Sequence, residues 1–317
     1  EIFRSQLNLQ ENLKNVPEWH PLDILLKENE NIIRDSELIS FYVKTIENEK
    51  DKEKLKTILE ELKNFIRTIW DIKNHYLKLQ LIVYPYMERR GITAVPRVLW
   101  TKEDEIMDDL RDTTKSLFEN KDLDTIIKKL KELSSALSDQ VYREDNILYP
   151  TIWVLFKEGE WAMIHDQFFK IGFYKLYPSP DSWKSNAHKI YPFQVESRIS
   201  DDDVKKLPEE MKNVIMSLGL EQDNYSPADE NSIVLNEGYL NAEEINSIFH
   251  TLPFEITFID KNDRLKFFND GNDIYFKRTK ATVGRKVELC HPPKSVHMVK
   301  KIIEDFKNGK RDVAEFW

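Results

Sequence analysis

Apolar side chains recur three and four residues apart over much of residues 21–173, which is the spacing of one buried helix face. In the longest stretch this pattern reaches His75, which lies three residues after Ile72 and four before Leu79. The imidazole is therefore expected to point into the core. The pattern predicts five helices: one that begins at Pro21, one over 52–84 that stops near Pro85, one capped by Thr101, one over 122–149 and one over 160–173.

Long helices joined by short connections favour an antiparallel four-helix bundle. The inward faces of these helices carry polar side chains, namely Asn29, His75, Glu103, and Gln140 or Glu144. Imidazole and carboxylate groups from facing helices build iron or manganese sites in bundles. The same side chains can also satisfy one another as a buried ion cluster without a metal. His20 is a further metal candidate, although a histidine before proline at a helix start is expected to be a capping residue.

The pattern changes after residue 240 from helical spacing to short β-rich runs. EITFID and RLKFFN flank a polar turn and predict a hairpin, with a short helix over 242–250 before it. A longer helix over 294–307 follows two prolines, Gly309 closes it, and residues 312–317 begin another strand. The predicted domains are an N-terminal arm (1–19), a helical bundle (20–176), an irregular segment and linker (177–240) and an incomplete α+β module (241–317).

Composition narrows the classes of function. A length of 317 residues favours two domains, and a net charge of −9 with mixed signs argues against nucleic acid as a partner. No apolar run approaches the roughly 20 residues that span a bilayer. The single cysteine, Cys290, excludes an internal disulfide framework and favours the cytoplasm. Because the chain begins with Glu1 and ends at Trp317 inside a predicted strand, we expect it to be part of a longer protein.

Several segments resemble a bacterial and archaeal family of unknown function whose members join a hemerythrin-like, HHE-type cation-binding bundle to a PAS sensor domain. In the bundle these segments are WHPLDILLKENENI, HYLKLQLIVYPYMERRGIT, LWTKEDEIMDDL and YREDNILYP. The most specific match is LPFEITFIDKNDRLKFFNDG, followed by VGRKVELCHPPKSVHMVKKIIEDFKNGKRDVAEFW. The resemblance covers roughly the whole chain.

The resemblance implies metal ligands in the bundle at three positions: His20, His75 and Glu144. The sequence departs from the family pattern at two places. Leu79 and Gln80 stand where an acidic ligand is expected, and Glu103 stands where a histidine is expected. The resemblance therefore implies an altered or degenerate metal site that does not bind O₂ reversibly. Iron, manganese or zinc are the cofactor candidates, with Glu103 as a fourth candidate ligand.

The PAS-like part implies a small sheet covered by helices, with a pocket between them. The candidate lining residues are Phe258, Phe267, Phe276, Cys290, His291 and His297. His297 lies where haem-binding PAS domains carry an axial ligand. We nevertheless expect His297 to be a half-exposed residue of the helix, and we do not expect haem. Cys290 precedes a helix N-terminus that can lower the pKa of a thiol, yet a buried, inert cysteine is the expected interpretation.

These observations favour a cytoplasmic sensory or regulatory protein that binds an unidentified small ligand or protein partner. A homodimer through the PAS module is the candidate route of output. One alternative is a bundle metalloenzyme with non-haem iron or manganese redox chemistry at His75, Glu103 and Glu144. The other is a metal-free dimerisation scaffold. No residue pattern supports naming a reaction, so enzymatic activity is not expected.

Overall fold

The computed structural model describes residues 11–119, 121–221, 231–269 and 279–315, and the chain divides into two compact units, 1–227 and 228–317. Within the described ranges, no helix has both the length and the apolar character that crossing a membrane requires. The helices of the first unit are α1 (Pro21–Asn48), α2 (Lys52–Ile69), α3 (Ile72–Lys78), α4 (Tyr84–Arg89), α5 (Ala94–Phe118), α6 (Leu123–Arg143), α7 (Tyr149–Leu155), α8 (Glu158–Ile171), α9 (Asp201–Lys206) and α10 (Glu209–Leu218). Short 3₁₀ turns lie at Glu11–Asn15 and Pro192–Gln194.

The predicted antiparallel four-helix bundle is confirmed. Side-chain contacts between α1 and α6 run in opposite directions along the two helices. The Ser36 and Ser40 hydroxyls bond to Ser134, whereas the Lys131 ammonium, earlier in α6, pairs with Glu47, later in α1. Contacts of α5 with α6 and of α2 and α3 with α5 and α1 complete the bundle.

The bundle core consists of two apolar clusters stacked along the helix axes. One cluster includes Leu25, Leu79, Leu99 and Leu148, and the other includes Ile32, Ile72, Ile106 and Val141. Taken helix by helix, the pairs are Leu25 with Ile32, Leu79 with Ile72, Leu99 with Ile106, and Leu148 with Val141. The two residues of each pair are seven positions apart in the sequence. The boundary between the clusters therefore crosses all four sides of the bundle at one level.

The prediction of one helix over 52–84 that stops near Pro85 is wrong. The helix breaks at residues 70–71 and then continues through Pro85 to Arg89. A π-helical turn, Leu79–Val83, makes this possible, since the Tyr84 N–H bonds to the Leu79 carbonyl five residues back. Proline has no N–H and clashes with the carbonyl four residues earlier, and the wider turn relieves both conflicts.

The same device recurs before Pro150. The π-helical turn Glu144–Leu148 joins α6 to α7, and the Tyr149 N–H bonds to the Glu144 carbonyl. The third helix also begins earlier than predicted, at Ala94, so Thr101 is not its N-cap. The Thr101 hydroxyl instead donates to the Arg97 carbonyl one turn back.

Residues 177–221 belong to the first unit and pack on the bundle. The Tyr86 hydroxyl donates to the Ile190 carbonyl, and the Ile190 N–H donates to the Gly159 carbonyl. Two short helices, α9 and α10, lie in this segment and are divided at Leu207, whose backbone is extended. The cause is Pro208, because a residue before proline avoids the helical conformation.

The second unit is the predicted α+β module. Its elements are β1 (Ile233–Leu235), β2 (Gly238–Leu240), α11 (Ala242–Thr251), β3 (Thr257–Ile259), β4 (Leu265–Phe268) and α12 (Val296–Lys307), with 3₁₀ turns at Lys280–Thr282 and Val287–Cys290. The predicted hairpin forms with Phe258 opposite Phe267. The first hairpin, β1–β2, was not predicted and replaces the end of the predicted linker. Residues 312–315 form no strand, and 316–317 lie outside the described ranges.

Candidate functional site

One polar side chain from each side of the bundle lies at the boundary between the two apolar clusters. These four residues form a polar layer, consisting of Glu28, His75, Glu103 and Glu144, and each has no exposed surface. Each lies between the two apolar residues of its helix at spacings of three and four. The helical repeat therefore directs all four side chains inward at one level.

His75 bridges two carboxylates of the polar layer. Its Nδ1 lies 2.7 Å from Glu28 Oε2, and its Nε2 lies 3.0 Å from Glu144 Oε2. Burial by itself lowers the pKa of His75, but the charges and hydrogen bonds of Glu144 and Glu28 outweigh burial and raise the pKa to about 9. At neutral pH His75 is thus an imidazolium that donates from both ring nitrogens.

A lysine inside the bundle holds the other oxygen of Glu28. The Lys78 Nζ lies 2.8 Å from Glu28 Oε1 and 2.7 Å from the Gly172 carbonyl, and the Tyr174 N–H also donates to Glu28 Oε1. Burial lowers the pKa of Lys78 more than Glu28 raises it. For Glu28, burial raises the pKa, but Lys78 and His75 outweigh burial and hold the pKa below its usual value. Glu28 is therefore a carboxylate between two cations.

Glu103 forms the other end of the polar layer and accepts three hydrogen bonds. The donors are the Tyr84 hydroxyl, Gln80 Nε2 at 2.8 Å and Gln140 Nε2 at 3.3 Å. Gln140 Nε2 also donates to Glu144 Oε1 at 3.0 Å, so it links the two carboxyl groups. Burial and then the charge of Glu144 raise the pKa of Glu103 to about 8, despite the three donors. Near neutrality Glu103 is therefore largely protonated.

The structure brings His75, Glu103 and Glu144 together as predicted, but it does not bring His20 into the polar layer. His20 is the N-cap of α1, where its Nδ1 accepts the Leu22 N–H at 3.1 Å. Its ring meets three indoles edge-on, those of Trp153, Trp161 and Trp183. Burial and then the nearby His165 lower its pKa to about 3. The expected capping role is confirmed.

Four residues of the site were missed in the sequence, and one of them is Tyr84, which donates to Glu103. Glu28 lies three residues after Leu25 and four before Ile32, so the spacing that identified His75 also identifies Glu28. Lys78 follows His75 by three residues on the same face. It was missed because lysine is almost never fully buried unless it is paired, and the sequence does not show the pairing with Glu28. Tyr149, whose hydroxyl donates to Glu144 Oε2, lies five residues after Glu144, a spacing that only the π-helical turn makes inward.

The donor set of the polar layer does not fit a metal ion. Across the described ranges, no group of three or more His, Cys, Asp or Glu side chains has an arrangement that could hold one. A metal-bound imidazole needs a free ring nitrogen, whereas both ring nitrogens of His75 lie within hydrogen-bond distance of carboxylate oxygens. The Lys78 ammonium adds a repelling charge beside Glu28. Two neutral oxygens nearby, Tyr76 OH and Gln140 Oε1, have no hydrogen-bond partner among the residues that the structure describes, but they supply no charge for a cation.

In the second unit, the candidate pocket residues are not enclosed by the described part of the chain. Four of them are exposed: Phe258, Cys290, His291 and His297. Phe267 is half-buried against Phe249, with ring centroids 4.7 Å apart, and Phe276 lies outside the described residues. The expectation of a buried Cys290 is wrong. A two-stranded ribbon offers too little surface to cover such side chains.

Comparisons with known proteins agree with both units. Residues 20–152 match the family model described as hemerythrin HHE cation binding domain, and residues 245–317 match a PAS domain model. A solved structure described as a C-terminal domain from Streptococcus mutans is 44% identical over 28% of this chain and 69% of that chain, but its TM-score of 0.26 is too low for a structural argument. No curated protein matches. The chain therefore joins a hemerythrin HHE domain to a C-terminal PAS domain.

Proposed function

We propose that the chain is a sensory or regulatory protein whose PAS domain binds a small ligand or a protein partner, and whose bundle has a degenerate metal site. One observation carries the second part of this proposal. His75 binds one oxygen each of Glu28 and Glu144, and Lys78 and neutral donors hold the remaining carboxyl oxygens of the polar layer, which leaves no open coordination position. A metalloenzyme needs such a position for its substrate, so the metalloenzyme alternative is not favoured.

The partner of the PAS domain is proposed from its surface. Large apolar side chains are exposed in the second unit, including Val234, Phe254, Phe258, Leu289 and Met298. Exposed apolar groups support contact with another protein, and a second copy of this chain is the simplest candidate. The net charge of −9 does not favour nucleic acid. We also propose a cytoplasmic location, which is supported by the single cysteine, Cys290, a free exposed thiol.

The first test is the metal and cofactor content of the purified full chain, by elemental analysis and an absorption spectrum. We expect far less than one metal ion per chain and no cofactor absorption. The His75→Ala variant and the exposed-histidine control His188→Ala should give the same result. Near-stoichiometric iron, manganese or zinc that disappears only in His75→Ala would contradict the proposal and favour the metalloenzyme.

The second test is the oligomeric state, measured by sedimentation of the full chain. We expect a concentration-dependent dimer that Phe258→Ser weakens. The control is Met216→Ser, which removes an apolar side chain that is 84% exposed in the first unit. A dimer that is equally strong in all three proteins would contradict a PAS-mediated dimer and favour a scaffold that associates through the bundle.

A further inference from the structure

Four completely buried side chains carry charge in the polar layer and directly beside it. Glu28 and Glu144 supply two carboxyl groups, and His75 and Lys78 are their basic partners. A buried carboxylate without a partner is strongly destabilising, so the bundle requires positive charge at this level. In a metal-binding bundle the ion supplies that charge.

We infer that Lys78 is the built-in counter-ion of the bundle: together with His75, its ammonium group supplies the positive charge that a metal ion would otherwise supply. This inference rests on the proposed absence of a metal from the bundle. It goes beyond that absence because it gives Lys78 a defined compensating role.

Geometry supports this role, because Lys78 and His75 share one carboxylate. Lys78 lies three residues after His75 on the same helix face. His75 Nδ1 binds Glu28 Oε2, and Lys78 Nζ binds Glu28 Oε1. Both oxygens of Glu28 are therefore held, and His75 extends the chain of contacts to Glu144 through its other nitrogen. A change of charge at Lys78 should reach all of these groups.

The surroundings of Lys78 are built for an ammonium group. The segment after α8 supplies the Gly172 carbonyl at 2.7 Å from Nζ. The aromatic rings of Phe168 and Phe173 lie with their centroids 5.7 and 5.2 Å from Nζ. A carboxylate, a carbonyl and two ring faces are all groups that attract a cation. The ammonium group of Lys78 is thus buried among groups that attract it. A lysine that only covered the surface of the bundle with its stem would keep its ammonium group in water.

A double-mutant cycle on the full chain tests this role. Lys78→Met keeps much of the stem but removes the charge, and Glu28→Gln removes the facing carboxylate. We expect Lys78→Met to lower the thermal midpoint of helix loss, followed by circular dichroism, by about 10 °C, because it leaves a buried charge unpaired. The Lys78→Met/Glu28→Gln double variant should recover at least half of that shift. The control Lys131→Met, which removes the exposed pair with Glu47, should leave the midpoint nearly unchanged.

Additive shifts in the double variant would overturn the counter-ion role, because a side chain that merely fills space has no charge coupling to Glu28. If Lys78→Met does not fold, the comparison moves to the double variant. A double variant that folds supports the role, and one that fails to fold, beside a folded Glu28→Gln, overturns it.

Metal titration separates this inference from the proposed function. We expect wild type and Lys131→Met to take up no Zn²⁺. Lys78→Met should take up about one equivalent with a rise in its midpoint, since the ion then supplies the missing charge and displaces a ring proton of His75. One equivalent bound tightly by wild type in a His75-dependent way would contradict the metal-free bundle itself. A metal-free wild type whose Lys78→Met variant shows additive shifts and no Zn²⁺ uptake would overturn the counter-ion role alone.

Discussion

Acidification should destabilise the first unit through His20, a residue that lies outside the polar layer. His20 is 2% exposed, packs against three indoles and caps α1 through its Nδ1 lone pair. Burial, and then the neighbouring His165, lower its pKa from 6.5 to about 3. The folded state thus holds His20 neutral at pH values where the unfolded chain protonates it.

The magnitude follows from linkage. When the folded-state pKa is lower than the unfolded value, the unfolded chain binds more protons, and the free energy of unfolding falls as the pH drops. The loss begins near pH 6.5 and grows by about 1.4 kcal/mol per pH unit until the folded-state pKa near 3 is reached. Protonation of His20 therefore lowers the free energy of unfolding by about 3 kcal/mol at pH 4.5, and by about 5 kcal/mol once the pH falls below the folded-state pKa.

The assay compares wild type with His20→Asn by urea unfolding at pH 7.5 and pH 4.5. Asparagine keeps an acceptor for the Leu22 N–H but does not titrate. At pH 7.5 the variant should be less stable, because it loses the ring contacts with Trp153, Trp161 and Trp183. At pH 4.5 the difference in the free energy of unfolding between wild type and His20→Asn should be smaller by about 3 kcal/mol. His188→Asn, at an exposed position, should follow wild type at both pH values. A gap for His20→Asn that is equal at both pH values would refute the reasoning.

Three further predictions concern the polar layer, the packing of α8 and the second unit. Glu103 has a folded-state pKa raised to about 8, so its own contribution to the free energy of unfolding falls as the pH rises from about 4.5 to 8. Glu103→Gln lacks this contribution, so the stability of wild type relative to that variant should fall between pH 5 and 8 in urea unfolding, and a difference that does not change with pH would contradict it. Gly159→Ala should lower the free energy of unfolding by about 2 kcal/mol despite the better helix propensity of alanine, because the new Cβ would lie 2.3 Å from the His188 carbonyl oxygen. A stabilised variant in urea unfolding would contradict this and show that the backbone at His188 can move away. Asn269→Ala should destabilise the second unit by about 3 kcal/mol, because the buried amide bonds to three backbone groups, and faster amide hydrogen exchange in β3 and α11 with an unchanged first unit would verify this.

The spacing of apolar residues predicted much of the first unit. It gave the bundle, the approximate helix ranges and the inward direction of His75, Glu103 and Glu144, because side-chain direction in a helix depends only on local repeat. Proline misled the prediction at 85, and the helix predicted over 122–149 likewise continues past Pro150. The local cost of proline is real, but the adjacent π-helical turns remove the conflict and let both helices continue.

The sequence by itself therefore determined which side chains face inward, and the tertiary structure alone decided which of them meet. His20 and His75 are both buried, yet one caps α1 among indoles and the other bridges two carboxylates. Glu28 becomes the partner of a residue 47 positions away only because α1 and α3 adjoin in the bundle. Lys78, which its residue type alone would place in water, is buried because Glu28 and the Gly172 carbonyl converge on its ammonium group. Such pairings depend on helix neighbours and depth of burial, which no local pattern of residues contains.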